Sequence, residues 1–171
     1  MKKFLAFFTV LMFLCTAALA DSADPIIPLE TLTMEDGFTF AIPAQWSYLP
    51  VTEEMDAQNI FLTGFDFNDS IMVTAFMYQL EEGLTLTDHM GKISSSEEYG
   101  SMEVITNEKG AEVLVYEYKD GTIKGYEFLL DNGYIVHFMY GFVNLDKPIM
   151  EHPGMEAMVN DAVNSLCYTE K

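Results

Sequence analysis

Three histidines, one oddly placed glutamate, a serine triplet and two cysteines are the side chains of this 171-residue chain that could carry chemistry. His89, His137 and His152 fall into neither the HExxH spacing nor any paired-histidine spacing, and the chain has no CxxC. No metal ligand set and no cofactor are therefore expected. A serine hydrolase needs a strained elbow of the Gly-x-Ser-x-Gly type, which is missing. Ser94-Ser95-Ser96 has no histidine at a recognisable family spacing. Asp66, Asn68 and Asp69 crowd one turn, but the EF-hand pattern and its terminal glutamate are absent, so no dedicated calcium site is expected.

Glu127 is different because of where alternation puts it. On the strand register given below it shares a face with Leu114, Tyr116, Phe138 and Tyr140, and Gly125 leaves room beside the two tyrosines. A lone acid among aromatics suits a cationic or sugar-like ligand, and burial would raise its proton affinity. Tyr116, Glu127 and Tyr140 are thus the candidate ligand-binding residues; no catalytic residue is assigned. The competing structural account places Glu127 at the sheet margin, with Gly125 roofed by tyrosine rings. His137 is expected mid-strand opposite Phe128 as a core or half-buried histidine. His89 lies off the apolar stripe of its helix and is expected to face solvent, and His152 precedes Pro153 in a loop.

These side chains must be positioned by strands. Residues 31–34 and 38–42 around Glu35-Asp36-Gly37 read as a hairpin, and 59–67 with 71–79 as a second strand pair. Between 84 and 99 the period changes: Leu86, Met90 and Ile93 are helically spaced behind a Thr85 N-cap, with Asp88 in the first turn. Residues 102–142 read as a meander turning at Glu108-Lys109-Gly110, Asp120-Gly121 and Asn132-Gly133. Two-residue type I′ loops at the last two would pair Glu117 with Lys124, Val115 with Tyr126, Phe128 with His137 and Tyr126 with Met139. Both faces of that meander are then mostly apolar and need cover. Met155, Met158, Val159, Ala162, Val163 and Leu166 form the stripe of a terminal amphipathic helix, with Pro153 near its first turn.

The termini and the charge set the context. Lys2-Lys3, an apolar run from Phe4 to Cys15, and Ala18-Leu19-Ala20 before Asp21 have the layout of a secretory signal peptide (residues 1–20). The run is short for a membrane span, and Cys15 follows Phe13-Leu14, unlike a lipidated cysteine. Cleavage near Ala20 is expected, giving a secreted chain, extracellular or periplasmic. Residues 21–28 read as a linker and 29–171 as one domain, expected to be monomeric. Cleavage would leave Cys167 as the sole cysteine, expected as a small buried residue at a helix end, and six lysines against 27 acidic residues. With no arginine anywhere, nucleic acid and anionic membrane surfaces are excluded as partners.

The run Gly37-Phe38-Thr39-Phe40-Ala41-Ile42-Pro43-Ala44-Gln45-Trp46 resembles the opening of PsbP-like domains, where an aromatic-rich strand ends in proline before a tryptophan. The helix introduced by Leu84-Thr85-Leu86-Thr87-Asp88-His89-Met90 and the ending Asn164-Ser165-Leu166 are also similar. The resemblance implies an α+β fold, an antiparallel β-sheet with helices packed on both faces (an α/β/α sandwich). It further implies a non-catalytic binding or accessory role toward an unknown protein or cell-envelope partner. A small-ligand carrier and an enzyme of unrecognised mechanism are the alternatives.

Overall fold

Alternation of apolar residues along the meander dictates a sheet, and the computed structural model forms one of seven strands. The structure describes residues 26–34, 37–66, 70–142 and 148–168. The expected leader, most of the expected linker, the Glu35-Asp36 turn, and Asn68 and Asp69 lie outside the described residues.

In chain order the strands are β1 Leu29–Thr33, β2 Phe38–Pro43, β3 Ser47–Tyr48, β4 Ile60–Phe65, β5 Ile71–Gln79, β6 Tyr99–Thr106, β7 Glu112–Tyr118, β8 Ile123–Leu129, β9 Tyr134–Phe142 and β10 Cys167–Tyr168. The helices are α1 Glu53–Ala57, α2 Leu86–Ile93 and α3 Met155–Ser165, with a 3-10 turn at Ile149–Glu151. The large sheet runs β3-β4-β5-β9-β8-β7-β6 and a small one β1-β2-β10, with every pairing antiparallel. The fold is mixed α+β, mostly antiparallel sheet.

Two apolar clusters use alternate residues of the meander, as a two-sided sheet requires. Val113, Tyr126, Phe128, Val136, Phe138 and Tyr140 belong to the larger cluster, together with the buried stripe of α3. Strand β2 is buried along its whole length. Its Phe38 and Phe40 rings lie 5.2 Å from Phe128 and 4.8 Å from Phe138, so the small sheet covers this side of the large one. Leu80, Leu86, Leu114 and Ile135 form the smaller cluster, over which α2 lies.

Local chemistry explains the boundaries. Thr85 caps α2 through a capping box with Asp88, which satisfies two backbone N–H groups at the helix start. At the other end of the chain, α3 starts on Gly154 (φ +79°) directly after Pro153, and its terminal carbonyls are met from outside. Buried Asn107 donates from Nδ2 to the carbonyls of Val163 (3.0 Å) and Leu166 (2.8 Å). Its Oδ1 accepts from the Lys109 and Ala111 amides. One side chain thereby ties the β6–β7 turn to the end of α3.

Cys167 directly follows Leu166, the C-cap of α3, but is not fully buried. It pairs with Thr39 in the short strand β10, half-buried, with Sγ 3.0 Å from Thr39 Oγ1 and 3.7 Å from Lys109 Nζ.

The register of β8 against β9 departs from expectation by one residue. Leu129 faces Ile135, Phe128 faces Val136, and Glu127 faces His137. The turn explains the difference. A type I′ loop needs positive φ at both central residues, but only Gly133 (φ +82°) has it and Asn132 does not. Instead Leu130 and Tyr134 close a three-residue loop, Leu130 N–H donating to Tyr134 O and Gly133 N–H to Leu130 O. One extra loop residue moves the whole of β9 to the opposite face relative to β8. At Asp120-Gly121 the turn is also not type I′, since Gly121 N–H closes on Tyr118 O. The loop is longer by two, however, so the expected pairs Glu117–Lys124 and Val115–Tyr126 stand.

Candidate functional site

That single-residue offset builds the site. Glu127 on β8 now has His137 of β9 as its cross-strand neighbour and Leu114 of β7 on the other side. Nδ1 of His137 lies 3.4 Å from Glu127 Oε1, and Nε2 of the same ring lies 2.6 Å from the Tyr116 hydroxyl. From above, α2 delivers His89, whose Nε2 is 3.1 Å from Glu127 Oε2 and 3.0 Å from the Tyr78 hydroxyl of β5. The His89–Oε2 approach is off the hydrogen-bonding line, so this buried carboxylate oxygen has no aligned donor.

Burial is nearly complete. Glu127 and Tyr116 are each 2 % exposed and His137 is 8 % exposed. The His89 side chain, at 12 %, is the most accessible of the three groups around the carboxylate. Desolvation holds the His137 imidazole below its usual range; the Glu127 carboxylate opposes that shift and His89 adds to it. Burial first, and then the nearby Glu127 charge, raises Tyr78 and Tyr116 far above the ordinary phenol range, so both keep their protons. These states assign the proton positions on the ring. Neutral His137 carries hydrogen on Nδ1, facing the acceptor-only carboxylate, while its Nε2 accepts from the Tyr116 hydroxyl.

The phenol, imidazole and carboxylate therefore stand in the order of a proton relay. The geometry of a chelate is not met, and no cluster of three or more His, Cys, Asp or Glu side chains among the described residues is arranged to hold a metal ion.

The candidate residues divide. Tyr116 and Glu127 share the site. Tyr140 does not: it lies on the other face with Tyr126 (rings 5.8 Å apart), and the Trp46 ring meets its edge at 5.9 Å. The register that grouped all three assumed the two-residue turn. Gly125 does not open space either, because a Cβ there would fall 2.2 Å from Tyr116 Cζ, so the tyrosine ring roofs the glycine. Glu127 is central rather than marginal.

His137 is buried and satisfied, as expected, but opposite Glu127 instead of Phe128. His89 faces inward, contrary to the solvent-facing expectation, since its helix lies flat enough over β6 and β7 for the position before Met90 to reach the sheet. Tyr78 has no sequence signal of its own. A three-residue reading of Asp131-Asn132-Gly133 would have found the His137–Glu127 pair. His152 lies just after the 3-10 turn, its ring 4.3 Å from that of Phe142. Asp66 Oδ1 accepts from the Ser70 and Ile71 amides, which is the work of a turn.

The main cavities lie elsewhere. One of about 340 Å³ borders the start of α3, and one of about 610 Å³ lies between residues 79–84 and the tip of the β8–β9 hairpin. None of these cavities is lined by Tyr116, Glu127, His137 or Tyr140. No protein-family model matches the chain, and no curated protein is significantly similar to it.

Proposed function

We propose that this chain is an exported, monomeric, non-enzymatic binding or accessory module, freed of its leader near Ala20 and acting on a protein or cell-envelope partner. One observation carries this reading: the cluster of side chains best suited to chemistry is sealed. Tyr116, Glu127 and His137 are buried under α2, with His89 placed over the carboxylate. What remains for a partner is an outer surface rich in carboxylates and free of arginine, which favours cationic protein groups over nucleic acid or anionic lipid.

The same reading takes the fold as PsbP-like, with α2 and α3 covering opposite sides of the large sheet. In support, neighbouring residues of β7 divide between clusters, Val113 joining the α3 side and Leu114 the α2 side.

Purified protein should show no turnover on a hydrolase panel and should retain specific partners from a native envelope or secreted fraction in a salt-sensitive way. Turnover abolished by His137→Gln would sink the proposal. It would favour the second reading, an enzyme of unrecognised mechanism, whose support is the Tyr116–His137–Glu127 order. The carrier reading is weaker, having lost Tyr140 from its site, and the cavities described above are not lined by Glu127.

A further inference from the structure

Helix α2 is a lightly anchored cover over the sheet. It is eight residues long, too short to be stable in isolation, and Leu86 is its only buried residue; Met90 and Ile93 are partly buried. The cluster it closes is the smaller one, and exposed Ser94-Ser95-Ser96 follows it. Such elements open locally at far lower cost than the strands beneath them. Beneath this one lies a polar group of a particular kind. His137 is hydrogen-bonded to a phenol at 2.6 Å and has a carboxylate oxygen 3.4 Å from its other ring nitrogen, in surroundings that hold it neutral.

We propose that α2 is a lid released by acid, with His137 as the group whose proton uptake drives the opening. Closed, the ring is largely shielded from water, its side chain 10 % exposed. Nε2 is hydrogen-bonded to Tyr116, Nδ1 faces Glu127 at 3.4 Å, and His89 from the lid places a second imidazole in the same pocket. A proton added to His137 would place a charge in this desolvated pocket beside His89, an unfavourable change that the Glu127 carboxylate opposes only in part. Open, the ring meets water and takes its proton freely.

The titratable groups facing His137 are Glu127 from β8, Tyr116 from β7, Tyr78 from β5 and His89 from α2, with Tyr99 of β6 edge-on to Tyr116 at 5.2 Å. The phenols keep their protons throughout this range. A histidine held neutral in the closed form stabilises that form above its ordinary value of 6.5, and the contribution is lost as pH falls below it. Opening would expose Glu127, Tyr116, Leu114 and Ile135 beside half-buried Tyr78, an acidic and aromatic patch largely hidden at neutral pH.

Amide hydrogen exchange, corrected for the intrinsic rate, reads the lid directly. The reporters are the amides of His89 (bonded to Thr85 O) and Ser94 (bonded to Met90 O), with the β5 and β9 amides as reference. Between pH 7.5 and pH 5.0 the helix should lose up to about 30-fold in protection, the limit set by an ordinary histidine, while β5 and β9 hold. The response should vanish in His137→Gln and persist in His89→Gln. Helix and strands loosening together, a response kept in His137→Gln, or one lost only in His89→Gln would each overturn the proposal. Should His137→Gln fail to fold, NMR titration of the wild-type imidazole decides. Proton uptake concurrent with loss of helix protection supports the lid; uptake under a still-protected helix, or none before global unfolding, refutes it.

Discussion

Gly125→Ala should be among the most damaging single-methyl additions in this protein. The added Cβ would lie 2.2 Å from Tyr116 Cζ, 2.3 Å from its hydroxyl oxygen and 2.6 Å from Cε1. An ordinary contact begins near 3.4 Å, so the ring must retreat by more than 1 Å. An exposed tyrosine would swing aside, but this one is pinned by its 2.6 Å bond to His137 and by the edge-on Tyr99 ring. Overpacking of this kind costs roughly 1–3 kcal/mol. Breaking the Tyr116–His137 bond leaves a buried ring nitrogen unpaired, about 1–3 kcal/mol more. Relief of glycine's backbone entropy returns roughly 0.5–1 kcal/mol. The net is a loss of about 1–5 kcal/mol, or roughly 3–20 °C in melting temperature for a domain of this size. Gly141→Ala is the control: its Cβ would sit 3.7 Å from Ile123 Cγ1, and it should be neutral or slightly stabilising. Urea and thermal melts of the two variants check the argument. If Gly125→Ala melts within about 2 °C of the parent, Tyr116 is not pinned and the buried network has been misread.

Removing the Tyr116 hydroxyl with Tyr116→Phe should cost about 1–2 kcal/mol, because Nε2 of His137 loses its donor. Tyr140→Phe should cost less than Tyr116→Phe in the same urea melts, since the group beside that buried hydroxyl is the equally buried Tyr126 hydroxyl. Asn107→Ala removes four hydrogen bonds at once and should cost about 2–5 kcal/mol; hydrogen exchange should show the loss first at the end of α3 and the β6–β7 turn. Deleting Asp131 would leave the two-residue loop Asn132-Gly133 between Leu130 and Tyr134, a favoured type I′ sequence that keeps the native pairs. Stability should change by about 1 kcal/mol or less, and NMR contacts between Leu129 and Ile135 should persist.

Much of the fold was legible because local signals and tertiary packing agree. Thr85 caps α2 where its sequence says, the stripe from Met155 to Leu166 is the buried face of α3, and β1 pairs antiparallel with β2. Where they fail to agree, the reason is physical. The short helix α1 has no buried residue, so no apolar period marks it; only its Thr52 cap does. Strand β10 follows a helical stripe without a break in hydrophobicity, and only the pairing of Cys167 with distant Thr39 makes it a strand. The site was half legible. Glu127 and Tyr116 were found from alternation along single strands, which is local. His137 and Tyr140 depended on register across a turn whose backbone angles the dipeptide Asn-Gly leaves open. His89 depended on how a helix sits on a sheet, which no window of sequence encodes.

Strand β2 has a consequence that belongs to time rather than to geometry. It pairs on one edge with β1, whose partner residues lie 6 to 14 positions earlier, and on the other with β10, more than 120 residues after it. Its backbone is stitched again where the Ala41 amide donates to the Ser165 hydroxyl. A ribosome adding roughly 5–20 residues per second leaves this strand half-paired for several seconds after it emerges. Its aromatic side cannot settle until β8 and β9 supply Phe128 and Phe138. The small sheet is therefore the last part to close, and loop-closure entropy makes that closure the slow, non-local step of folding. Until the final strand arrives, the chain stays open enough to be threaded, bound by a chaperone, or mispaired with a second copy through the unfilled edge of β2.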